Sequence, residues 1–249
     1  MRLLLAVCLF VISMPTVVAE TPADVLDLSR WRLTLPIESK KRGTPSEIRQ
    51  PELASFTHPE HFHVTEQDGV VFRAHCGGVT TKGSSFPRSE LREMAPDRVS
   101  RADWSTDDRT IHTMTMRVAI TSTPRKKQHV VCAQIHDAED DLMMVRLEGE
   151  KLFVERNDVG EVMMDRHYQL GTKFDLRIEA GNGHVRVSYN GEEQMDWTVS
   201  RDGCYFKAGC YTQSNLEKGD DADSYGEVVI SILQLDEIDT EDRYDTEGK

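Results

Sequence analysis

The sequence predicts an all-β protein, a sandwich or barrel of antiparallel strands. Apolar and polar residues alternate along several short segments, which is the period at which side chains of a strand share a face. Glycine and asparagine pairs separate these segments and are typical of hairpin turns. Many short strands joined by turns in 249 residues favour one sandwich or barrel domain over two domains.

Three regions carry the strand pattern most clearly. Residues 112–120 (HTMTMRVAI) keep a strict period of two and predict a strand. Alternating segments on both sides of Gly181–Gly183, and again on both sides of Asn190–Gly191, predict a series of hairpins. A further hairpin is expected around Gly149.

Helical patterns are confined to two short stretches, residues 21–29 (TPADVLDLS) and 51–56 (PELASF). The apolar run Glu227–Leu235 predicts a strand that is covered on both faces. The polar segment that begins at Asp236 is expected to lie beyond this last strand and to fray from about residue 239.

The first 19 residues have the pattern of a secretory signal peptide. An early Arg2, the apolar run Leu3–Met14 and small residues before Ala19 predict cleavage after Ala19. The apolar run is too short to span a membrane as a helix. We therefore expect an exported protein, extracellular or periplasmic, with one domain over residues 20–249.

The net charge limits the partners that the protein could bind. The net charge of −13 becomes −14 when the signal, with its single Arg2, is removed, so we expect a monomer that binds neither nucleic acid nor membranes.

Four cysteines remain after removal of the signal and allow three complete disulfide pairings: Cys76, Cys132, Cys204 and Cys210. Cys204 and Cys210 would lie about 20 Å apart on one extended strand, too far for a disulfide. No spacing predicts a closed zinc site.

Three segments place polar side chains on one strand face. In SFPRSELREM, Arg88, Glu90 and Arg92 form a charged row, which alone is also compatible with a surface ion pair. In VVCAQIHD, the shared face would carry Cys132, Gln134 and His136, although His136 could be an ordinary half-buried histidine. In CYFKAGCYTQS, one face would carry Tyr205, Lys207, Gly209, Tyr211 and Gln213.

Together these faces predict a cationic, hydrogen-bonding groove on an acidic, exported protein. Gly209 would leave room for a chain lying across the sheet. An extended anionic polymer is the ligand that such a groove suits, and an acidic polysaccharide fits the exported location.

Four motifs resemble alginate lyases of polysaccharide lyase family 7: RWRLTLP at 30–36, RSELRE at 88–93, QIH at 134–136 and YFKAGCYTQ at 205–213. The resemblance covers residues 28–238. It implies a β-jelly roll of two antiparallel sheets with the substrate cleft on the concave sheet. It also implies cleavage of the 1,4-linked uronates of alginate by β-elimination, without a metal or another cofactor.

The resemblance also implies a role for each residue of the groove. Arg88 and Gln134 would neutralise the substrate carboxylate, Tyr211 would act as acid, and as base for mannuronate, and His136 would be the base for guluronate. Four further positions would line the cleft or hold Arg88: Glu90, Arg92, Lys207 and Gln213. In this family an isoleucine at the middle of QIH, here Ile135, accompanies activity on guluronate-containing blocks.

Two alternatives remain open. The segment Glu237–Glu241 (EIDTE) resembles the carboxylate signature of laminarinase-like glycoside hydrolases, in which two carboxylates act on the sugar. It sits in the acidic tail, without a following strand. A non-catalytic polysaccharide-binding module could use the same groove.

The histidines of HPEHFH (58–63) are predicted to lie on the surface and to bind no metal.

Overall fold

The computed structural model describes residues 21–65, 69–157 and 159–239, which form two antiparallel β-sheets. The predicted all-β sandwich is therefore confirmed. The strands are β1 (Trp31–Glu38), β2 (Pro45–Ile48), β3 (Phe62–Val64), β4 (Val70–His75), β5 (Arg88–Glu93), β6 (Thr110–Ser122), β7 (His129–His136), β8 (Asp141–Glu148), β9 (Lys151–Arg156), β10 (Gly160–Asp165), β11 (Phe174–Gly181), β12 (His184–Tyr189), β13 (Glu192–Thr198), β14 (Tyr205–Thr212) and β15 (Tyr225–Asp239).

The two sheets enclose one hydrophobic core. The first sheet has the order β10-β9-β8-β7-β14-β5-β1-β2, and the second has the order β13-β12-β11-β6-β15-β4-β3. Leu33 and Leu91 contribute to the core from the first sheet, and Phe72, Met114 and Ile178 contribute from the second. Burial of these alternating side chains from water is what holds the sheets together. The outer face of the first sheet is left free for polar residues.

The predicted hairpins are present. β11, β12 and β13 follow one another through turns in which Asn182 and Asn190 have positive φ angles of 54° and 51°, which asparagine tolerates better than most residues. The hairpin of β8 and β9 turns at Gly149. Helical structure among the described residues is short, as predicted: an α-helix over Pro22–Val25 and 3₁₀ turns over Glu52–Ala54 and Leu216–Lys218. No described helix is long and apolar enough to cross a membrane.

Two predictions for the last strand are wrong. Residues 227–235 are not covered on both faces, because alternate side chains such as Val229 are only half-buried on the outer side of the second sheet. The strand also continues through the polar residues up to Asp239, since Asp236–Asp239 pair with β6 across Thr110–Thr113. Backbone pairing with β6 therefore outweighs the polar side chains. Residues 240–249, and the predicted signal peptide at 1–19, lie outside the described residues.

The histidines of HPEHFH are not all on the surface. His61 is 1% exposed, its Nδ1–H donates to the carbonyl oxygen of Arg73 at 3.0 Å, and its ring packs between His58 and His75. Burial lowers the pKa of His61 from 6.5 to about 4. The prediction of a solvated loop failed because β3 pairs with β4 and draws this segment onto the sheet.

The four cysteines among the described residues are all buried and free: Cys76, Cys132, Cys204 and Cys210. Burial raises the pKa of the Cys76 thiol to about 11, and it raises those of Cys204 and Cys210 to about 12. Thiols in this state are poor nucleophiles. They act as small core residues.

Candidate functional site

The charged row predicted on RSELRE lies on the outer face of the first sheet. Arg88, Glu90 and Arg92 line a cleft of about 360 Å³. The intervening Leu91 is completely buried in the core. The alternation of β5 therefore gives a strand with one functional face and one packed face.

Strand pairing brings the three motifs side by side. β14 lies between β7 and β5, so that Tyr205 pairs with His136, and Lys207 pairs with Gln134 on one side and Arg92 on the other. Further along the same strand, Tyr211 is paired with Arg88. Segments that are far apart in the sequence thus form one continuous polar surface.

One residue of the predicted QIH face lies elsewhere. Cys132 is 1% exposed and belongs to the hydrophobic core, whereas Gln134 and His136 face outward. The register of β7 against β8 shifts between Val131 and Ala133, which is a β-bulge. A bulge adds one residue and reverses the alternation beyond it, so the prediction that Cys132 shares the face of Gln134 is wrong.

The prediction that Gly209 leaves room for a ligand is wrong. It has a φ of +137°, and a Cβ at this position would come within 2.6 Å of the Ser89 carbonyl oxygen and 2.9 Å of the Glu90 Cα. Glycine is needed here because β14 bulges and passes close to the backbone of β5.

Glu90 is the centre of the polar network. Its side chain is 2% exposed. One carboxylate oxygen accepts from the Lys207 Nζ at 2.5 Å and from the Arg88 Nη1 at 3.0 Å. The other oxygen accepts a short hydrogen bond from the Gln134 amide. Burial opposes ionisation of this carboxyl, but Lys207 and Arg88 together hold its pKa below the usual value. Glu90 lines the cleft and also contacts the three cationic and amide groups around it.

Lys207 is as deeply placed as its partner. It is 7% exposed, and burial, followed by the nearby Arg88, lowers its pKa to about 8 in spite of Glu90. Its charge at neutral pH thus depends on the carboxylate beside it. The Lys207 Nζ also lies 6.0 Å from the centre of the Tyr211 ring.

Tyr211 lies directly beside Arg88. The guanidinium carbon of Arg88 is 3.9 Å from the centre of the Tyr211 ring, a distance at which a cation and an aromatic face attract each other. The phenol oxygen of Tyr211 is 3.0 Å from the Ser84 hydroxyl, so the two share one hydrogen bond. The hydroxyl is thereby held on the cleft side of the sheet.

His136 has a defined tautomer. Its Nδ1 lies 2.9 Å from the carbonyl oxygen of Asp137, and because a carbonyl can only accept, Nδ1 carries the hydrogen. Nε2 is then left with a lone pair. Burial, opposed by this hydrogen bond, lowers the pKa of His136 below 6.5, so the imidazole is neutral at pH 7 and can act as a base.

The His136 ring is also supported from one side. It stacks on Tyr205, whose hydroxyl accepts a short hydrogen bond from Arg92. Arg92 in turn lies 4.2 Å over the Tyr205 ring. Tyr205 was recognised in the sequence only as a residue of this face, and its contact with His136 could not be read from either motif alone.

Five of the eight predicted site residues line the cleft directly: Arg88, Glu90, Arg92, His136 and Lys207. Gln134 and Tyr211 adjoin it through Glu90 and Arg88. Gln213 is 8% exposed and its amide contacts the Met144 sulfur at 3.6 Å, so a substrate contact for Gln213 stays a prediction.

Two arginines of the cleft were missed. Arg32 lies on β1 and Arg101 follows β5 in a loop, and both line the cavity. Arg32 faces Glu47 at 3.5 Å. The alternation of RWRLTLP could have indicated Arg32, whereas no sequence periodicity extends to the loop of Arg101.

Within the described ranges, no group of three or more His, Cys, Asp and Glu side chains is arranged to hold a metal ion. The charges that could neutralise an anion in the cleft are those of Arg32, Arg88, Arg92, Arg101 and Lys207. The fold and site thus define a class of protein: a β-sandwich with a cationic cleft on one sheet and with side chains that can transfer protons, His136 and Tyr211, beside it.

A family model described as alginate lyase matches residues 26–237, and the chain belongs to this family. The solved structure of alginate lyase AlgAT5 from polysaccharide lyase family 7 is 49% identical and covers 88% of this chain and 100% of its own, with a TM-score of 0.84. The alginate lyase from Corynebacterium sp. is 41% identical over 88% of this chain and 99% of its own, with a TM-score of 0.83. The fold is accordingly the β-jelly roll that the resemblance implied.

A curated relative gives a shorter match. An alginate lyase from Klebsiella pneumoniae is 34% identical over 110 residues, which are 40% of this chain and 35% of that protein. The chain therefore matches about a third of the length of this relative.

Proposed function

We propose that this protein is an alginate lyase that cleaves 1,4-linked uronate polymers by β-elimination. The observation that carries the proposal is the juxtaposition of Arg88, Gln134, His136 and Tyr211 on three adjacent strands around buried Glu90. Membership of the alginate lyase family supports it. The cationic cleft on a chain with a net charge of −13 provides the local field that an anionic polymer needs.

The first requirement of the reaction is to make the C5 proton acidic. That proton is α to a carboxylate, which resists taking up a second negative charge. Donors that are already in place stabilise this charge as it develops. Arg88 uses one of its five N–H groups on Glu90, and Gln134 uses one of two amide hydrogens, so both keep donors for the substrate.

The second requirement is proton transfer. The base removes the C5 proton, the electron pair forms the C4–C5 double bond, and the C4–O bond breaks as the acid protonates the leaving oxygen. Tyr211 is the acid. In mannuronate the proton and the leaving oxygen lie on the same side, so Tyr211 also serves as base, whereas guluronate presents its C5 proton to the opposite side. There the neutral His136 Nε2 accepts it.

A preference for guluronate-containing blocks is part of the proposal. Its support is Ile135, which is completely buried behind Gln134 and His136. Ile135 cannot touch the substrate, so it would act by setting the position of these two neighbours on β7.

We also propose that the protein is exported and acts as a monomer. The motif at the start of the sequence and the acidic composition support export.

Cleavage in isotopically labelled water tests the reaction type. The protein is incubated with alginate, and the oligosaccharide products are weighed by mass spectrometry. Elimination consumes no water, so each new pair of ends should be lighter by one water than hydrolysis products and should take up no ¹⁸O at the moment of cleavage. Products that are heavier by one ¹⁸O-labelled water per cleaved bond would indicate a glycoside hydrolase. Binding without any products would indicate a polysaccharide-binding module.

The hydrolase alternative has little structural support. Glu237 and Asp239 lie at the end of β15 in the second sheet, away from the cleft of the first sheet. Glu237 forms an ion pair with Arg30 at 2.7 Å. Thr240 and Glu241, the remainder of that motif, lie outside the described residues.

A further inference from the structure

A second cationic region lies on the same side of the first sheet, beyond Tyr211. Lys126, Lys127 and Lys218 line an open cavity of about 460 Å³ at the ends of β7 and β8. We refer to these three side chains as the lysine patch. Neither the family motifs nor the proposed acid–base chemistry uses them.

A buried acid holds the patch together. The Asp220 carboxylate accepts from the backbone N–H groups of Lys126 and Lys127 at 2.9 and 3.0 Å. It also accepts from the hydroxyls of Ser214 and Ser224. Asp220 is 3% exposed, and these hydrogen bonds, against the effect of burial, lower its pKa to about 2. The loop that carries Lys126 and Lys127 is therefore fixed against the loop of Lys218.

The three ammonium groups are not held in ion pairs within the described part of the chain. Among the described residues none of them forms a salt bridge, and the one carboxylate lining the same cavity, that of Glu148, is engaged by Arg146 and lies 3.3 Å from His129. Burial, followed by the positive charges of Arg146 and Lys218, lowers the pKa of Lys127, although the carboxylates of Glu148 and Glu155 act in the opposite direction. Three like charges gathered on a strongly acidic protein, with no salt bridge to any of them among the described residues, indicate a site for an anionic ligand.

The patch is connected to the reaction site by aromatic contacts. The Lys127 Nζ lies 5.1 Å from the centre of the Phe86 ring, and the Phe86 and Tyr211 ring centres are 6.3 Å apart. Tyr211 thus stands between the cleft with Arg88 and Lys207 and the lysine patch. A polymer with one carboxylate on each sugar could contact both regions when its scissile bond is at Tyr211.

We propose that the lysine patch binds carboxylates of the polyuronate chain at a distance from the bond that is cleaved. This inference rests on the proposed function, because it assumes that a polyuronate occupies the cleft. The patch would make the enzyme favour long chains, since short ones reach Tyr211 without reaching Lys126 and Lys218. Exposed ion pairs are individually weak, so the three lysines would contribute to binding through the sum of their interactions with the polymer.

The experiment compares oligouronates of increasing length and the polymer. In the wild type, kcat/KM should rise by a distinct step once the chain is long enough to reach the patch. In Lys126→Ala/Lys127→Ala/Lys218→Ala this step should shrink by about tenfold at low salt, and added salt should reduce the difference between the two proteins. The backbone N–H groups bound by Asp220 are retained, and thermal unfolding checks that the variant is folded.

A matched variant controls for the loss of charge. Lys40→Ala/Lys41→Ala/Lys173→Ala removes three exposed lysines that line neither cationic cavity, and its length dependence should match that of the wild type. The same length dependence in the patch variant and the wild type would overturn the inference. Absence of turnover on every length in the wild type would instead contradict the proposed function.

Discussion

The imidazole ring of His136 lies parallel to the phenol ring of Tyr205, with centroids 5.2 Å apart and planes 12° apart. The Asp137 carbonyl oxygen fixes the same imidazole in its plane, and Arg92 fixes the Tyr205 hydroxyl. His136 is consequently oriented on two sides before substrate binds. Such prior orientation is what general base catalysis requires.

The contact predicts that Tyr205 positions His136. Tyr205→Phe keeps the stacked ring and should lower kcat on guluronate blocks by less than tenfold, whereas Tyr205→Leu removes the ring and should lower it by more. The leucine variant also admits water to His136, so its pKa should move up towards 6.5. The acid limb of the rate profile should therefore shift to higher pH in Tyr205→Leu and stay in place in Tyr205→Phe. Equal profiles in both variants would argue for a merely structural role.

The wild type should lose activity on polyguluronate only at acidic pH. Guluronate cleavage needs neutral His136, and because burial lowers its pKa below 6.5, activity on polyguluronate should persist below pH 6.5 before it falls. The measurement is kcat/KM against pH. A midpoint at or above 6.5 would contradict the assignment.

The same base can be tested by substitution on separate block polymers. His136→Asn keeps a hydrogen-bonding side chain but has no basic nitrogen, so it should reduce polyguluronate cleavage at least tenfold more than polymannuronate cleavage. Equal losses on both polymers would make His136 a carboxylate ligand and leave the guluronate base unidentified.

Glu90 is expected to be a sensitive position for stability. Glu90→Gln leaves the buried Lys207 and the half-buried Arg88 without their carboxylate and should lower the free energy of unfolding by about 3–5 kcal/mol. Lys207 should then lose its proton at neutral pH, because its pKa is already lowered to about 8 with Glu90 present. Denaturant unfolding measures the loss. The double variant Glu90→Gln/Lys207→Met should be less destabilised than the sum of the single variants, and simple additivity would argue against a shared network.

His61 should make the fold sensitive to acid. Its pKa is about 4 in the folded protein against 6.5 for an exposed histidine, so the unfolded chain binds a proton first as the pH falls. This contribution to stability is complete above pH 6.5 and is lost between pH 6.5 and 4, by about 3 kcal/mol.

The comparison uses His61→Asn, whose amide can still donate to the Arg73 carbonyl. Between pH 7 and 4 this variant should lose less stability than the wild type. His167→Asn, at a side chain that is 85% exposed, should behave as the wild type. Parallel curves for the wild type and His61→Asn would show that His61 is not the acid-sensitive group.

Local patterns were sufficient to predict the strands with clear alternation, the hairpins and the polar rows of β5 and β14, but not the strands β2, β3, β4 and β10. Alternation and turn residues are properties of neighbouring positions, so Arg88, Glu90 and Lys207 could be assigned to a strand face from the sequence. The resemblance to the family then supplied their roles.

The remaining features depend on pairing between distant segments. The bulge at Cys132 and the close approach at Gly209 arise where β7, β14 and β5 must align, and no local period reveals an extra residue. His61 is buried because β3 pairs with β4. The ring contact of His136 with Tyr205 likewise exists only once β7 and β14 are adjacent.

The central claim is elimination with Tyr211 as proton donor, and ultraviolet absorbance of unsaturated uronates tests it most directly. On mixing with alginate, the wild type should give a steady rise in this absorbance. Tyr211→Phe keeps the ring under the Arg88 guanidinium but has no hydroxyl, and its rate should fall by at least a hundredfold on both block types. A wild type that generates new reducing ends without absorbance, or a Tyr211→Phe variant as fast as the wild type, would contradict the claim.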